Sequence, residues 1–372
     1  MFSPYTSFTS EWSNSTFIFY LSLIILGFLA PKVAYTIKIK SGSKTTRIRP
    51  VLGIYELILI LVKGLSVVGL DANNGYYFNF LTATSYSKIF DKSLEKGFIW
   101  LTILLRSILK TYWLYLLVLS IFTLTPVFYL IHKYRNIAEA SVILPVYVSI
   151  YFFQGFSLVR IALASSIALF AFDALYEGKI WKALIIIIIA AQFHVSMYVL
   201  LIIWALNAVP KKIRKLCYLI TIITAIVLYL APSRFASLLI GRHSVYSVDT
   251  TGAFGFSQFL YSVPLILLAF MYFKKQEETK AQELFFMYVI LDFIIGLLAY
   301  RLPVGRMYLC FAPIPFLMGM RLIEIKAKNK NMAFAVKLLI IVYCVFRFYV
   351  YISAYYNVDE IMPYINVLGW KF

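Results

Sequence analysis

Long apolar runs alternate with short polar loops along the whole chain, and within each run the apolar residues are continuous rather than spaced every second position. A helix needs about 20 apolar residues to cross a hydrocarbon core, and several runs approach that length. Backbone groups in lipid must satisfy one another, so such runs are helices unless they close a barrel. A barrel would need period-two alternation, which is missing here. The pattern therefore predicts an all-α, polytopic integral membrane protein, with residues 1–372 forming a single transmembrane domain.

The loops set the orientation, because Lys and Arg favour the cytoplasmic side. No Lys or Arg precedes the first run, residues 17–30, whereas Lys32, Lys38, Lys40, Lys44, Arg47 and Arg49 follow it. That asymmetry argues against a cleaved signal and places the N-terminus outside. Further spans are expected near residues 50–70, 112–130, 137–153, 158–175, 216–230, 259–273, 285–300, 307–322 and 334–355. Outer loops are expected at about 71–111, with an amphipathic segment at 97–110, and at about 231–258. Residues 181–210 have basic flanks on both sides and are too few for two crossings of about 20 residues each. They predict a short or re-entrant helical hairpin turning near Gln192-Phe193-His194, with His194 at the floor of an outward-facing vestibule. The expected total is about twelve membrane segments, with both termini outside.

Composition narrows the function. With 62% hydrophobic and 14% charged residues, no soluble-domain reading survives. A net charge of +19 would suggest nucleic acid in a soluble chain, but here the cations sit in short loops without a nucleic-acid motif, so no nucleic-acid partner is expected. Cys217, Cys310 and Cys344 all lie in apolar segments and read as small buried residues, not as a disulfide or metal set. No Walker loop, GxGxxG, HExxH or GxSxG is present, so neither a cofactor nor a metal is expected.

Some charges are not explained by orientation. Arg160, Arg234, Arg242, Arg301 and Arg306 fall on the outer side, with Lys88, Lys92, Lys96 and Arg106 in the first outer loop. Guanidinium binds phosphate bidentately and keeps its charge, so these arginines point to an anionic ligand at the outer face. Snorkelling to lipid phosphates is the plain alternative for any one of them. Asp71 and His194 on the same side favour a site, and His243 in the second outer loop is a weaker candidate. Glu56, Lys63, Asp292 and Arg347 lie within spans, where each charge costs about 3 kcal/mol and calls for a partner. Glu56 and Lys63, about two helical turns apart on one face, are expected to form a structural pair. Asp173 at the cytoplasmic end of its span is expected to be structural, and His132 to be solvated.

The stretch Gln154-Gly155-Phe156-Ser157-Leu158-Val159-Arg160-Ile161-Ala162, followed by Ala190-Ala191-Gln192-Phe193-His194-Val195-Ser196, resembles the EpsG family of Wzy-like polymerases of bacterial surface polysaccharides. Val68-Gly69-Leu70-Asp71 with Tyr76 and Tyr77, Glu95-Lys96-Gly97-Phe98, Arg301 to Tyr308 and Met362-Pro363-Tyr364 also fit that family. Where family members often carry Gln after the arginine, this chain has Ile161. The resemblance implies a glycosyltransferase of the bacterial inner membrane. It would transfer a growing chain between undecaprenyl-diphosphate-linked repeat units at the outer face, with a separate chain-length regulator as a possible partner. It implies catalytic roles for Arg160, which would hold the diphosphate, and for His194, which would activate the acceptor hydroxyl. Asp71 or Glu95 would substitute for His194 or orient the sugar, and Arg301, Arg306, Arg242, Gln154, Tyr76 and Tyr77 would contact substrate. The rival readings are a lipid-linked-oligosaccharide flippase or transporter, an O-antigen ligase, and a membrane acyltransferase.

Overall fold

Apolar runs that cannot leave backbone groups unpaired in lipid fold as helices here, and the loops carry the exceptions. A computed structural model of the chain describes residues 10–33, 37–41, 44–231, 254–270, 279–299, 301–302 and 304–372. In chain order the longer elements are α1 (Asn14–Leu29), β1 (Ile37–Ser41), β2 (Lys44–Ile48), α2 (Pro50–Gly64), α3 (Tyr77–Thr82), α4 (Lys96–Ile108), α5 (Tyr112–Lys133), α6 (Ala140–Tyr147) and α7 (Val159–Tyr176). There follow α8 (Ile180–Ala191), α9 (Leu200–Ala208), α10 (Lys211–Leu230), α11 (Phe254–Phe270), α12 (Lys280–Leu298), α13 (Ile314–Lys328) and α14 (Lys330–Tyr355). The all-α expectation needs one amendment: β1 and β2 pair antiparallel in the basic loop, Ile37 opposite Ile48 and Ser41 opposite Lys44.

Among the described residues, six helices are long and apolar enough to cross a membrane: Asn14–Lys32, Tyr112–Lys133, Val159–Tyr176, Lys211–Leu230, Lys280–Leu298 and Lys330–Tyr355. The expected count of about twelve is not reached on length and composition, because several expected spans are short or broken. Residues 50–70 end as helix at Gly64, whose missing side chain lets Leu117 approach: a Cβ there would lie 2.8 Å from the Leu117 Cα. The chain then runs extended beside the C-terminal tail. Val67 N–H donates to Ile365 O (2.9 Å), Gly69 N–H to Glu360 O (2.9 Å) and Leu70 N–H to Asp359 O (3.0 Å). Protein backbone thus satisfies the non-helical segment, the condition for irregular chain at depth. The expected span at 137–153 is likewise broken. α6 contains Pro145, which lacks an N–H, and continues as a π turn (Val148–Phe152) and a 3-10 turn (Phe153–Phe156).

The hairpin reading of 181–210 matches the geometry. α8 and α9 return on each other, with Trp204 Nε1–H donating to Ile180 O (3.0 Å), and the chain reverses between Ala191 and Leu200. α7 packs on both α5 and α8, and α7 and α8 bury small residues, including Ala164, Ala168, Ala183 and Ala190, which let helix backbones approach closely.

The charges sort to the two ends of the bundle. At one end Lys133 pairs with Asp173 (2.6 Å) and Glu177 (2.6 Å), and Lys337 pairs with Glu139. Asp173 is structural, as expected. Glu56 does not pair with Lys63. It takes His132 instead (2.9 Å), so His132 is partnered where a solvated role was expected, and Lys63 is buried with its ammonium beside Gly155. Within the bundle Arg347 lies over the Tyr261 ring (3.9 Å), and Asp292 accepts from Ser262 (2.7 Å). The opposite end of the bundle carries the loops that hold the site.

Candidate functional site

Arg160 sits in the first turn of α7, where the broken segment 148–158 delivers the chain to a new helix. Its Nε–H donates to the Tyr76 hydroxyl (3.0 Å) and its Nη1 pairs with the Glu95 carboxylate. The other Glu95 oxygen accepts from Val195 N–H (3.1 Å), so one carboxylate joins Arg160 to the tip of the α8–α9 hairpin. The fit requires Gly97, since a Cβ there would stand 2.7 Å from Gln192 O, and Phe98 N–H donates to that same carbonyl (3.3 Å). The Glu95-Lys96-Gly97-Phe98 element is therefore the seat of the hairpin tip. Tyr76 is buried against Phe98 (5.4 Å between rings), and burial raises the pKa of its hydroxyl, which stays a neutral phenol beside the guanidinium.

His194 occupies the tip itself. Its Nδ1 accepts from Ser196 N–H (3.3 Å), capping the turn Val195–Val199. An Nδ1 that accepts leaves the ring proton of the neutral imidazole on Nε2, so that nitrogen is a donor rather than a base.

A second group lies beside the first. Asp71 follows Gly69, which adopts φ +112° where its neighbours leave no room: a Cβ would collide with the Phe156 carbonyl. This crossing carries Asp71 to Ser157, whose hydroxyl oxygen accepts from Asp71 N–H (3.5 Å). The Asp71 carboxylate faces Arg306 at 3.8 Å. Arg306 rides on the turn Gly305–Phe311, which is tied down by Tyr151 O–H donating to Phe311 O (2.9 Å) and by Cys310 Sγ approaching Ser196 O (3.5 Å). That turn therefore touches the hairpin tip as well.

The remaining expectations divide. Arg301 lies 5.7 Å from the Tyr229 ring, and its buried Nε has no hydrogen-bond partner among the described residues. Gln154 is buried in the broken segment, where its carbonyl accepts from Leu158 N–H (2.9 Å). Tyr77 packs on Tyr112 (5.2 Å between rings). Arg106 is used locally, its Nη1 donating to Leu109 O (3.3 Å). Arg234, Arg242 and His243 lie outside the described residues.

Sequence reasoning missed Asp359. It is buried, accepts from the Tyr351 hydroxyl (2.8 Å), and feels both Arg306 and Asp71. Burial raises its pKa above the usual carboxylate range, with Tyr351 and Arg306 pulling it back. The available signal was an acidic pair, Asp359-Glu360, in a tail otherwise short of charge.

No curated protein and no solved structure matches the chain. A sequence model of the EpsG family matches residues 51–366, which include every site element described above. The chain belongs to the EpsG family.

Proposed function

We propose that the protein is a polysaccharide polymerase of the bacterial cytoplasmic membrane. It joins undecaprenyl-diphosphate-linked repeat units into an O-antigen, capsule or exopolysaccharide chain at the outer face. The observation that carries this reading is the Asp71–Arg306 pair: an acid and a guanidinium, both partly open, held at one end of an apolar bundle next to a fixed second arginine.

The chemistry needs two things. A lipid diphosphate must leave as an anion, and an acceptor hydroxyl must lose its proton. Arg306, with 54% of its side chain exposed and one partner at 3.8 Å, has donors to give to the diphosphate, and Arg301 stands five residues before it in sequence. Arg160 has committed Nε and Nη1, so it supplies fixed positive charge and orients the floor of the site. Asp71 has an accessible lone pair and is the group best placed to accept the proton. Glu95 is occupied by Arg160 and Val195. His194, on the hairpin tip that Glu95 holds through Val195, is suited to steadying a phosphate or sugar oxygen. Aromatic side chains lining this end suit sugar faces.

A deletion strain tests the reading. Loss of the gene is expected to leave single repeat units on the surface lipid. Absence of all surface glycan would instead indicate the flippase or ligase reading, and full-length chains lacking an acyl group would indicate an acyltransferase. The flippase reading draws on buried Arg347 and Asp292, which lie inside the bundle rather than at its end.

A further inference from the structure

At the basic end of the bundle, the end opposite Arg160, lies a cavity of about 480 Å³. α5 separates the two places: Tyr112 at its start touches the site loop, and His132 near its other end lines the cavity. A helix of this length spans about 33 Å. Four cations line the cavity, Lys32, Arg49, Arg135 and Lys326, and none has a carboxylate within ion-pair distance among the described residues. The acids nearby are already taken. Glu56 pairs with His132, and Glu139 pairs with Lys337 and accepts from Ser141 (2.8 Å). The floor is apolar, formed by buried Leu52 and Ile131.

Gly53 supplies an independent observation. It lies inside α2 and lines the cavity, and a Cβ built on it would meet nothing within 4 Å. Glycine inside a helix is about 1 kcal/mol less favourable than alanine, so the empty position is not explained by helix packing. It enlarges the space among these four cations, where the one lining carboxylate, Glu139, is held by Lys337, so positive charge stays in excess there.

We propose that this cavity is a binding site for a phosphate-bearing anion, seated between Lys32, Arg49, Arg135 and Lys326 and against the Gly53 face of α2. Its size and apolar floor suit the phosphate of an anionic lipid with the start of its acyl chains, and a soluble diphosphate shares the same recognition chemistry. The site does not depend on the polymerase reading, because its readout is binding alone.

The test uses the full chain in phosphatidylcholine vesicles containing a photo-reactive phosphatidylglycerol, with inorganic pyrophosphate as the soluble probe. Label is expected on peptides carrying Gly53, Ala138 and Ile323. The combined variant Arg49→Gln, Arg135→Gln, Lys326→Gln should lower it by about fivefold per charge removed. Gly53→Phe fills the space without changing charge and should abolish it, with thermal unfolding confirming that both variants fold. Lys212→Gln, Lys328→Gln and Lys330→Gln together remove the same charge elsewhere and should leave the label unchanged. If pyrophosphate displaces the label and raises the Tm of the wild type but not of the cavity variants, the ligand is soluble phosphate and the site stands. Equal labelling of wild type and Gly53→Phe, an equal loss in the control variant, or neither label nor stabilisation would overturn it.

Discussion

Arg160 and Arg306 carry the same guanidinium at the same end of the bundle, and their surroundings make them different tools. Arg160 is 14% exposed, and its Glu95 partner 17%. Two of its nitrogens are bonded, and the carboxylate it holds also grips the hairpin tip. Arg306 is 54% exposed and meets Asp71 only at 3.8 Å. A largely buried, directly bonded pair fixes geometry, and losing one partner strands a charge. An exposed, loosely met pair contributes little to stability and is available to a ligand. Under the proposed function, the contrast gives positioning to the first pair and substrate contact to the second.

The sharpest way to break this contrast is Arg160→Ala. It should destabilise the protein by about 3 kcal/mol, because Glu95 is left without its cation, and polymer formation should fall with it. Thermal unfolding in detergent reads the first effect and a glycan ladder the second. An unchanged Tm would mean that Arg160 is not the clamp.

Arg306→Ala should do the reverse. Polymer formation should drop by about 10²–10³-fold, as when a preorganised donor to developing negative charge is removed. Stability should move by no more than about 0.5 kcal/mol, since the ion pair is exposed. A large fall in Tm would erase the distinction between the two arginines.

Gly97→Ala probes how far the clamp depends on close approach. Its Cβ would press on Gln192 O, and the hairpin tip, with Val195 and His194, must shift to admit it. A loss of about 1–3 kcal/mol and a parallel loss of activity are expected from this overpacking, smaller than for Arg160→Ala. Retained stability with normal polymer would show that the tip has slack.

The smallest expected effect concerns pH on the open side. Burial raises the pKa of Asp359, so the folded state binds a proton there more tightly than the unfolded state. The favourable contribution is complete below the unfolded value of about 4 and is lost as pH rises through the folded one. Tm measured from acid to neutral pH should therefore decline for the wild type relative to Asp359→Asn. Parallel curves would show that burial does not raise the Asp359 pKa.

Much of this was legible in the chain and some was not. The helical class and the hairpin at 181–210 follow from apolar length and basic flanks, both strongly patterned signals, and the family resemblance named Arg160, Glu95 and the 192–196 turn without saying that one carboxylate joins them. Asp359 could not be read that way. It reaches Asp71 only because the tail pairs with residues 65–70, a contact of high sequence separation that no periodicity announces. The span at 50–70 misled for the same reason: the run is mostly apolar, but Gly69 must cross the Phe156 carbonyl, and the helix stops short at Gly64. Glu56 and Lys63 share a helix face, yet α5 offers Glu56 a nearer partner in His132. The roles of the two arginines depend on exposure, which sequence does not give.

Polymerisation by the purified full-length protein on synthetic polyprenyl-diphosphate repeat units is the most direct measurement. The wild type should build a ladder of chain lengths, whereas Arg306→Ala and Asp71→Asn should stall at one unit with Tm values unchanged. A normal ladder from both variants, or none from folded wild type, would contradict the assignment of the open pair to the lipid-diphosphate chemistry.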